Sequence, residues 1–133
     1  MPRILILARD HALRGQLIDA LQRAANIEVV VVDTGVELIS RIYYGIYAAV
    51  FADDELLDDR IGEAVEAVRS AIARPMLIVA SNETHRDLDA DLVTLVIRKP
   101  YDVAMVTGIL LSAVFGVPGG SGAAEGDSTL RTK

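Results

Sequence analysis

Tyr47-Ala48-Ala49-Val50-Phe51-Ala52-Asp53-Asp54-Glu55 is the stretch on which the fold turns. Its apolar residues run without a polar break and then stop at three acids. A half-exposed strand alternates apolar with polar side chains, so an unbroken run indicates a strand covered on both faces. Upstream, Ile4-Leu5-Ile6-Leu7 has the same character, and Glu28 to Val32 is rich in β-branched Val. Downstream lie Met76 to Ala80, opened by Pro75, and Leu92 to Ile97, stopped by Lys99-Pro100.

The segments between these runs follow a helical period. From His11 to Ala25, residues 13, 17, 20, 21 and 24 are apolar and form one stripe. Asp33-Thr34-Gly35 makes a turn into a short helix, Val36 to Tyr44, ending near Gly45. A further helix is expected from Ile61 to Ala73, with Ile61, Ala64, Val65, Val68 and Ile72 inward. Asp102 is placed to cap a last helix reaching Phe115. The polar segment Ser81 to Asp91 has room for a turn or two, so the fourth helix is expected short or absent.

Strands apolar on both faces and alternating with helices predict an α/β domain around a parallel sheet. Right-handed crossovers reduce the choice to a doubly wound five-stranded sheet, for which the flavodoxin-like order 2-1-3-4-5 is expected. Gly116-Val117-Pro118-Gly119-Gly120-Ser121-Gly122 has the composition of a linker. We therefore expect a domain over residues 1–117 and a flexible tail over 118–133.

A chain of 133 residues is one domain's worth, able to bury roughly two-thirds of its unfolded surface. Thirteen basic and 19 acidic side chains give a net charge of −6, which disfavours nucleic-acid binding along phosphates. Cysteine is absent, which excludes disulfides and thiolate zinc sites. The first apolar run ends at Arg9-Asp10, too soon for a signal-peptide core, and Val103 to Val117 is too short to span a bilayer. A soluble, cytoplasmic protein is expected.

In a doubly wound sheet, function collects at the carboxyl ends of the strands where strand order reverses. Those ends bring forward Ala8, Arg9 and Asp10 after the first strand and Asp53, Asp54 and Glu55 after the third. Ala80 and Ser81 end the fourth strand, and Lys99 and Pro100 the fifth.

These pieces carry a resemblance. Ile4-Leu5-Ile6-Leu7, Tyr47 to Asp53, Pro75-Met76-Leu77-Ile78-Val79-Ala80-Ser81 and Arg98-Lys99-Pro100-Tyr101 stand in the order and register of the CheY-like response-regulator receiver domains. The likeness extends over roughly residues 1–115, and the intervals from Asp53 to Ala80 and on to Lys99 fit the family frame. The resemblance implies that Asp53 accepts a phosphoryl group from a histidine kinase. It also implies that Lys99 pairs with the phosphoryl oxygens, that Lys99-Pro100 aims the lysine inwards, and that Tyr101 is the aromatic switch. Receivers hold Mg²⁺ between two acids after the first strand and the phosphoacceptor.

This chain departs from that pattern. The two acidic positions are Ala8 and Arg9, with Asp10 one place later; the hydroxyl position is Ala80, with Ser81 one place along; and a loop proline is replaced by Leu57. Mg²⁺ wants carboxylate oxygens in an octahedron. A unit positive charge ~5 Å from it, at an effective dielectric of ~20, costs on the order of 6 kcal/mol. No cofactor is therefore certain, and Mg²⁺ would have only Asp10 and Asp53 as ligands. From the same charges, Arg9 or Lys99 pairs with Asp53 in place of the metal.

Other chemistries fare worse. His11 and His85 are the only histidines, so a multi-histidine metal site is excluded, and His11 is expected simply to begin the first helix. No Gly-x-Ser-x-Gly elbow and no Gly-x-Gly-x-x-Gly follows a strand. The acids from Asp53 to Asp59 lack the alternating ligands and central Gly of an EF-hand. No enzymatic activity is expected.

The last helix, Val103 to Phe115, carries no charge, whereas a helix covering one sheet face should have a polar outer side. Its outside is expected to be covered, with Val103, Val106, Leu110, Leu111 and Val114 as the interface. The partner would be a second copy in a homodimer, or a histidine kinase or downstream regulator, as the resemblance also implies.

The expected function is a stand-alone, atypical receiver-like domain acting by protein–protein contact, with impaired Mg²⁺-dependent phosphorylation (a pseudo-receiver). The alternatives are a single-domain response regulator phosphorylated on Asp53 and a small-ligand-binding or enzymatic flavodoxin-like domain, including one in which a nucleotide contacts Arg9 and Arg14.

Overall fold

The computed structural model describes residues 1–82 and 94–116. Along the chain run β1 (Arg3–Leu7), α1 (His11–Ala24), β2 (Glu28–Val31), α2 (Gly35–Tyr44), β3 (Ala49–Asp53), α3 (Asp54–Leu57), α4 (Ile61–Ser70), β4 (Met76–Ser81), β5 (Thr94–Arg98) and α5 (Val103–Phe115). All strand pairs are parallel, as the apolar runs predicted, and the order is β2-β1-β3-β4-β5, the flavodoxin-like order that was expected. The expectations for a short or absent fourth helix, for strand residues 92 and 93, and for a tail over 118–133 lie outside the described residues.

Alternate residues of each strand face opposite sides. Leu5, Leu7, Val50, Ala52, Leu77 and Val79 build one core with α2 and α4, which bury Leu38, Ile42, Ala64, Val65 and Val68. Ile4, Ile6, Ala49, Phe51, Ile78 and Ala80 build the other with Leu17 and Leu21 of α1 and Val106 and Leu110 of α5. Most of these side chains have no exposure at all, so polar residues have no place inside β1, β3 or β4. The unbroken apolar runs follow from this burial.

Capping fixes where the helices begin. The Asp10 carboxylate accepts from Ala12 N and Leu13 N, Thr34 Oγ1 from Glu37 N, and Asp102 Oδ1 from Ala104 N. Gly116 closes α5 in the left-handed region at φ 62°, where the absence of a Cβ matters.

Two local expectations are corrected. The loop after β3 contains the helical turn α3, because Asp53 caps it and Leu57 is fully buried against the α2–α4 core. Helix α4 stops at Ser70 instead of Ala73, and Ile72, expected inward, is 97 % exposed. Ala71 has left helical geometry while its N–H closes on Ala67 O and Val68 O, and Arg74, which precedes Pro75, sits at φ 46°. A residue before proline is pushed out of the helical region, so the chain turns before Ile72 can face the core.

Candidate functional site

The carboxyl ends of β1, β3 and β5 open onto a cleft of about 560 Å³ lined by Arg9, Asp10, Asp53, Glu55, Lys99 and Tyr101, together with Leu13, Asn82 and Pro100. Asp53 is the last residue of β3, and its side chain is 12 % exposed. Lys99 follows β5 and reaches across β4 to place Nζ 2.5 Å from Asp53 Oδ1 and 3.4 Å from Glu55 Oε1. The same Asp53 oxygen accepts from Glu55 N at 3.0 Å. The Lys99–Pro100 peptide is cis.

Burial opposes the Lys99 charge, but the hydrogen bond to Asp53 and the fields of Asp53 and Glu55 outweigh it and raise its pKa above the ordinary lysine value. Burial, aided by Asp53 and Asp10, also raises the Tyr101 hydroxyl. The Tyr101 ring meets Phe51 edge-on, with centroids 5.3 Å apart and planes at 72°, so it packs on the α1–α5 core.

Of the residues singled out in sequence, Arg9, Asp10, Asp53, Lys99 and Tyr101 are brought together. Ala8 and Ala80, expected to line the site, are instead 4 % and 0 % exposed in the α1–α5 core. Each lies in or beside a strand position whose side chain points into that layer. Ser81 is buried beside the cleft and donates to Asp54 Oδ2 at 2.7 Å. Arg9 does not pair with Asp53; its guanidinium sits 3.5 Å from Glu55 Oε1, with both side chains largely exposed. Arg14, considered for a nucleotide contact, is directed to His11 Nδ1 at 2.8 Å and lies 4.0 Å from Asp33. Leu13 and Asn82 also line the cleft and were not picked out; Asn82 follows β4 directly, and that position was its only signal in the sequence.

Two carboxylate oxygens that a divalent ion would draw on, Asp10 Oδ1 and Asp53 Oδ1, already accept hydrogen bonds within the chain. The Asp10 carboxylate is spent on the α1 N-terminus, Asp53 is held by an ammonium group, and Arg9 stands at the mouth. Among the described residues, no group of three or more His, Asp or Glu could hold a metal. Chemically, the arrangement neutralises Asp53 with a lysine charge from within the chain.

The interface expectation on α5 is also revised. Val106 and Leu110 are fully buried in their own domain, and Val103, Leu111 and Val114 pack partly against that core. The outward stripe is Met105, Gly108, Ser112 and Phe115, with Met105 45 % and Phe115 53 % exposed. Spaced three and four apart, they share one helix face that carries no charge. No helix among the described residues is long and apolar enough to cross a membrane.

Comparison with known proteins places the architecture. Neither family models nor curated protein sequences give a match. Among solved structures, a response regulator from Hahella chejuensis is similar with a TM-score of 0.70 at 15 % identity, over 86 % of this chain and 96 % of that one. The receiver domain of a sensor histidine kinase from Pseudomonas aeruginosa PAO1, which has a magnesium ion coordinated in its active-site cleft, gives 0.62 at 19 %, over 85 % and 97 %. A CheY-like receiver domain from Methanospirillum hungatei JF-1 gives 0.64 at 20 %, over 86 % and 94 %. Many neighbours in structure are receiver domains, and this chain has their fold.

Proposed function

We propose that this receiver-fold chain is a two-component signalling domain that works by protein–protein contact, and that its phosphoacceptor site has become a fixed ion pair. The observation that carries the reading is the state of Asp53: its Oδ1 is taken by Lys99 Nζ and by Glu55 N, while Asp10 caps a helix. In-line phosphoryl transfer relies on a metal to neutralise the transferring group. Ala8 and Arg9 supply no carboxylate ligand for one. Output is then binding, without enzymatic turnover, in the cytoplasm. The partner is a histidine kinase, a downstream regulator or a second copy seated on the Met105–Phe115 face.

The competing reading is a working phosphoacceptor, favoured by the placement of Asp53 at the end of β3 with Lys99 beside it. A ¹⁵N-amide NMR titration with Mg²⁺, followed by beryllofluoride as an aspartyl-phosphate mimic, separates the two. A spectrum that stays unchanged at high Mg²⁺ supports the fixed pair. Shifts clustered at Asp10, Asp53, Ser81 and Lys99 and spreading to α5 would overturn it in favour of phosphorylation.

A further inference from the structure

Strand β2 forms one edge of the sheet: β1 pairs with it on one side, and among the described residues no strand lies on the other. Its ladder to β1 fixes which backbone groups are left over. Glu28 N donates to Pro2 O at 2.9 Å and Val32 N to Ile6 O at 3.0 Å. Successive residues of a strand turn their N–H and C=O groups to opposite edges. Glu28, Val30 and Val32 therefore serve β1, and Val29 and Val31 point theirs outward. Among the described residues no hydrogen bond engages the outward N–H of Val29 or Val31.

Soluble chains blunt such an edge with Lys, Pro or a bulge. Glu28–Val31 has none of these. Its register with β1 runs unbroken from Arg3↔Glu28 to Ile6↔Val31, its one charge stands at the start, and Val31 is 36 % exposed. β-Branched side chains are also the type that pairs well across strands.

Free backbone groups in this spacing call for an extended strand, and the pattern selects β2 of a second copy. About a two-fold axis through Val30 and normal to the sheet, two β2 strands run antiparallel. Val29 then stands opposite the partner's Val31, and Val31 opposite the partner's Val29. Each of these pairs exchanges two N–H···O bonds, so every outward group of Val29 and Val31 is satisfied at once. Val30 meets the partner's Val30, and Glu28 lies opposite the partner's Val32 instead of another acid. The flanking acids carry their own cations: Arg3 lies 3.8 Å from Glu28 and Arg14 4.0 Å from Asp33. The pairing ends there, because Asp33 N already donates to Glu37 Oε1 at 3.4 Å.

We infer that β2 is a homotypic docking edge, at which two copies join their sheets into one, five strands from each. The contact is independent of the state of Asp53 and separate from the α5 face. A four-residue strand makes a small interface, so the edge fills on the order of hundreds of micromolar, above the range in which the α5 face is read.

The test uses the full chain carrying Phe115→Glu, so that the edge is read without a contact through α5. Amide hydrogen exchange is followed by NMR at about 50 μM and about 1 mM, with sedimentation at the same concentrations. The Val29 and Val31 amides should exchange several-fold more slowly at the higher concentration, in step with the appearance of dimer. The Val30 amide, which serves β1, should be protected at both. Val31→Pro deletes an outward N–H without touching the ladder to β1 and should raise the dissociation constant by about tenfold or more. Val31→Lys keeps the backbone intact and should do the same through the charge it sets on the edge, which covers a proline variant that fails to fold. A chain that stays monomeric at about 1 mM, a dimer whose Val29 and Val31 amides exchange as fast as in the monomer, or a dimer unmoved by Val31→Lys would overturn the proposal.

Discussion

Lys99 and Asp53, 46 residues apart in the chain, meet at 2.5 Å with both side chains largely withdrawn from water. The contact spans β4, which lies between their strands, and it engages Oδ1, one of the two carboxylate oxygens of Asp53. Burial makes the pair consequential, because removing one member leaves the other charge without its shortest and least exposed partner.

Asp53→Asn should therefore destabilise the protein by about 1–3 kcal/mol, since the amide keeps the bond from Glu55 N but leaves the lysine charge only the more exposed Glu55 carboxylate, 3.4 Å away. Arg9→Ala should stay within about 0.5 kcal/mol, because the Arg9–Glu55 pair is exposed. Urea denaturation of both variants checks this. Equal losses would mean that Arg9 shares in holding the site.

Alkaline pH should loosen the fold through two groups. The folded pKa of Lys99 is raised, so its stabilisation is complete below the unfolded lysine value and is lost as pH climbs through the folded one. Tyr101 is raised as well, and an acid that ionises later in the folded chain than in the unfolded one also costs stability as pH rises. Stability should fall from about pH 10 upward, and Lys99→Met with Tyr101→Phe should flatten that fall. A melting temperature equally steep in the double variant would contradict the assignment.

Asp10→Ala should cost about 1 kcal/mol, the usual effect of losing an N-cap, and should leave any response to Mg²⁺ unaltered. Thermal melts with and without Mg²⁺ provide the measurement. A wild type stabilised by Mg²⁺, with that gain lost in Asp10→Ala, would make Asp10 a ligand instead of a cap.

The outward face of α5 should govern self-association. Met105→Glu and Phe115→Glu should shift sedimentation towards monomer while leaving the melting temperature nearly unchanged, because both side chains are about half exposed. Leu111→Glu is a poorer probe, since Leu111 packs partly on the core and its charge would unsettle the fold. A wild type that sediments as monomer at high concentration would leave only a different protein as the occupant of this face.

How much of this was legible in the chain can be followed residue by residue. Continuous apolar runs such as Ile4–Leu7 and Ala49–Ala52 predict strands covered on both sides, because burial on two faces admits no polar alternation. Asp10, Thr34 and Asp102 announce helix starts, because a short side-chain acceptor satisfies free N–H groups locally. The end of α4 was not legible: Ile72 continues the apolar stripe, but Pro75 and the turn at Arg74 remove it from the core.

The sequence by itself determined the strands, the parallel sheet and the gathering of Asp53 and Lys99 at the carboxyl ends of the strands, because hydrophobic period, caps and crossover handedness act locally or through simple topology. Only the tertiary structure decided which cation holds Asp53, that Arg9 goes to Glu55, that Ala8 and Ala80 are core, and that Val106 and Leu110 face inward while Met105 and Phe115 face out. A uniformly apolar helix has no polar side to mark its rotation, and a carboxylate among several cations is matched by distance. Distances of a few ångströms between residues far apart in the chain exist only once the elements are packed.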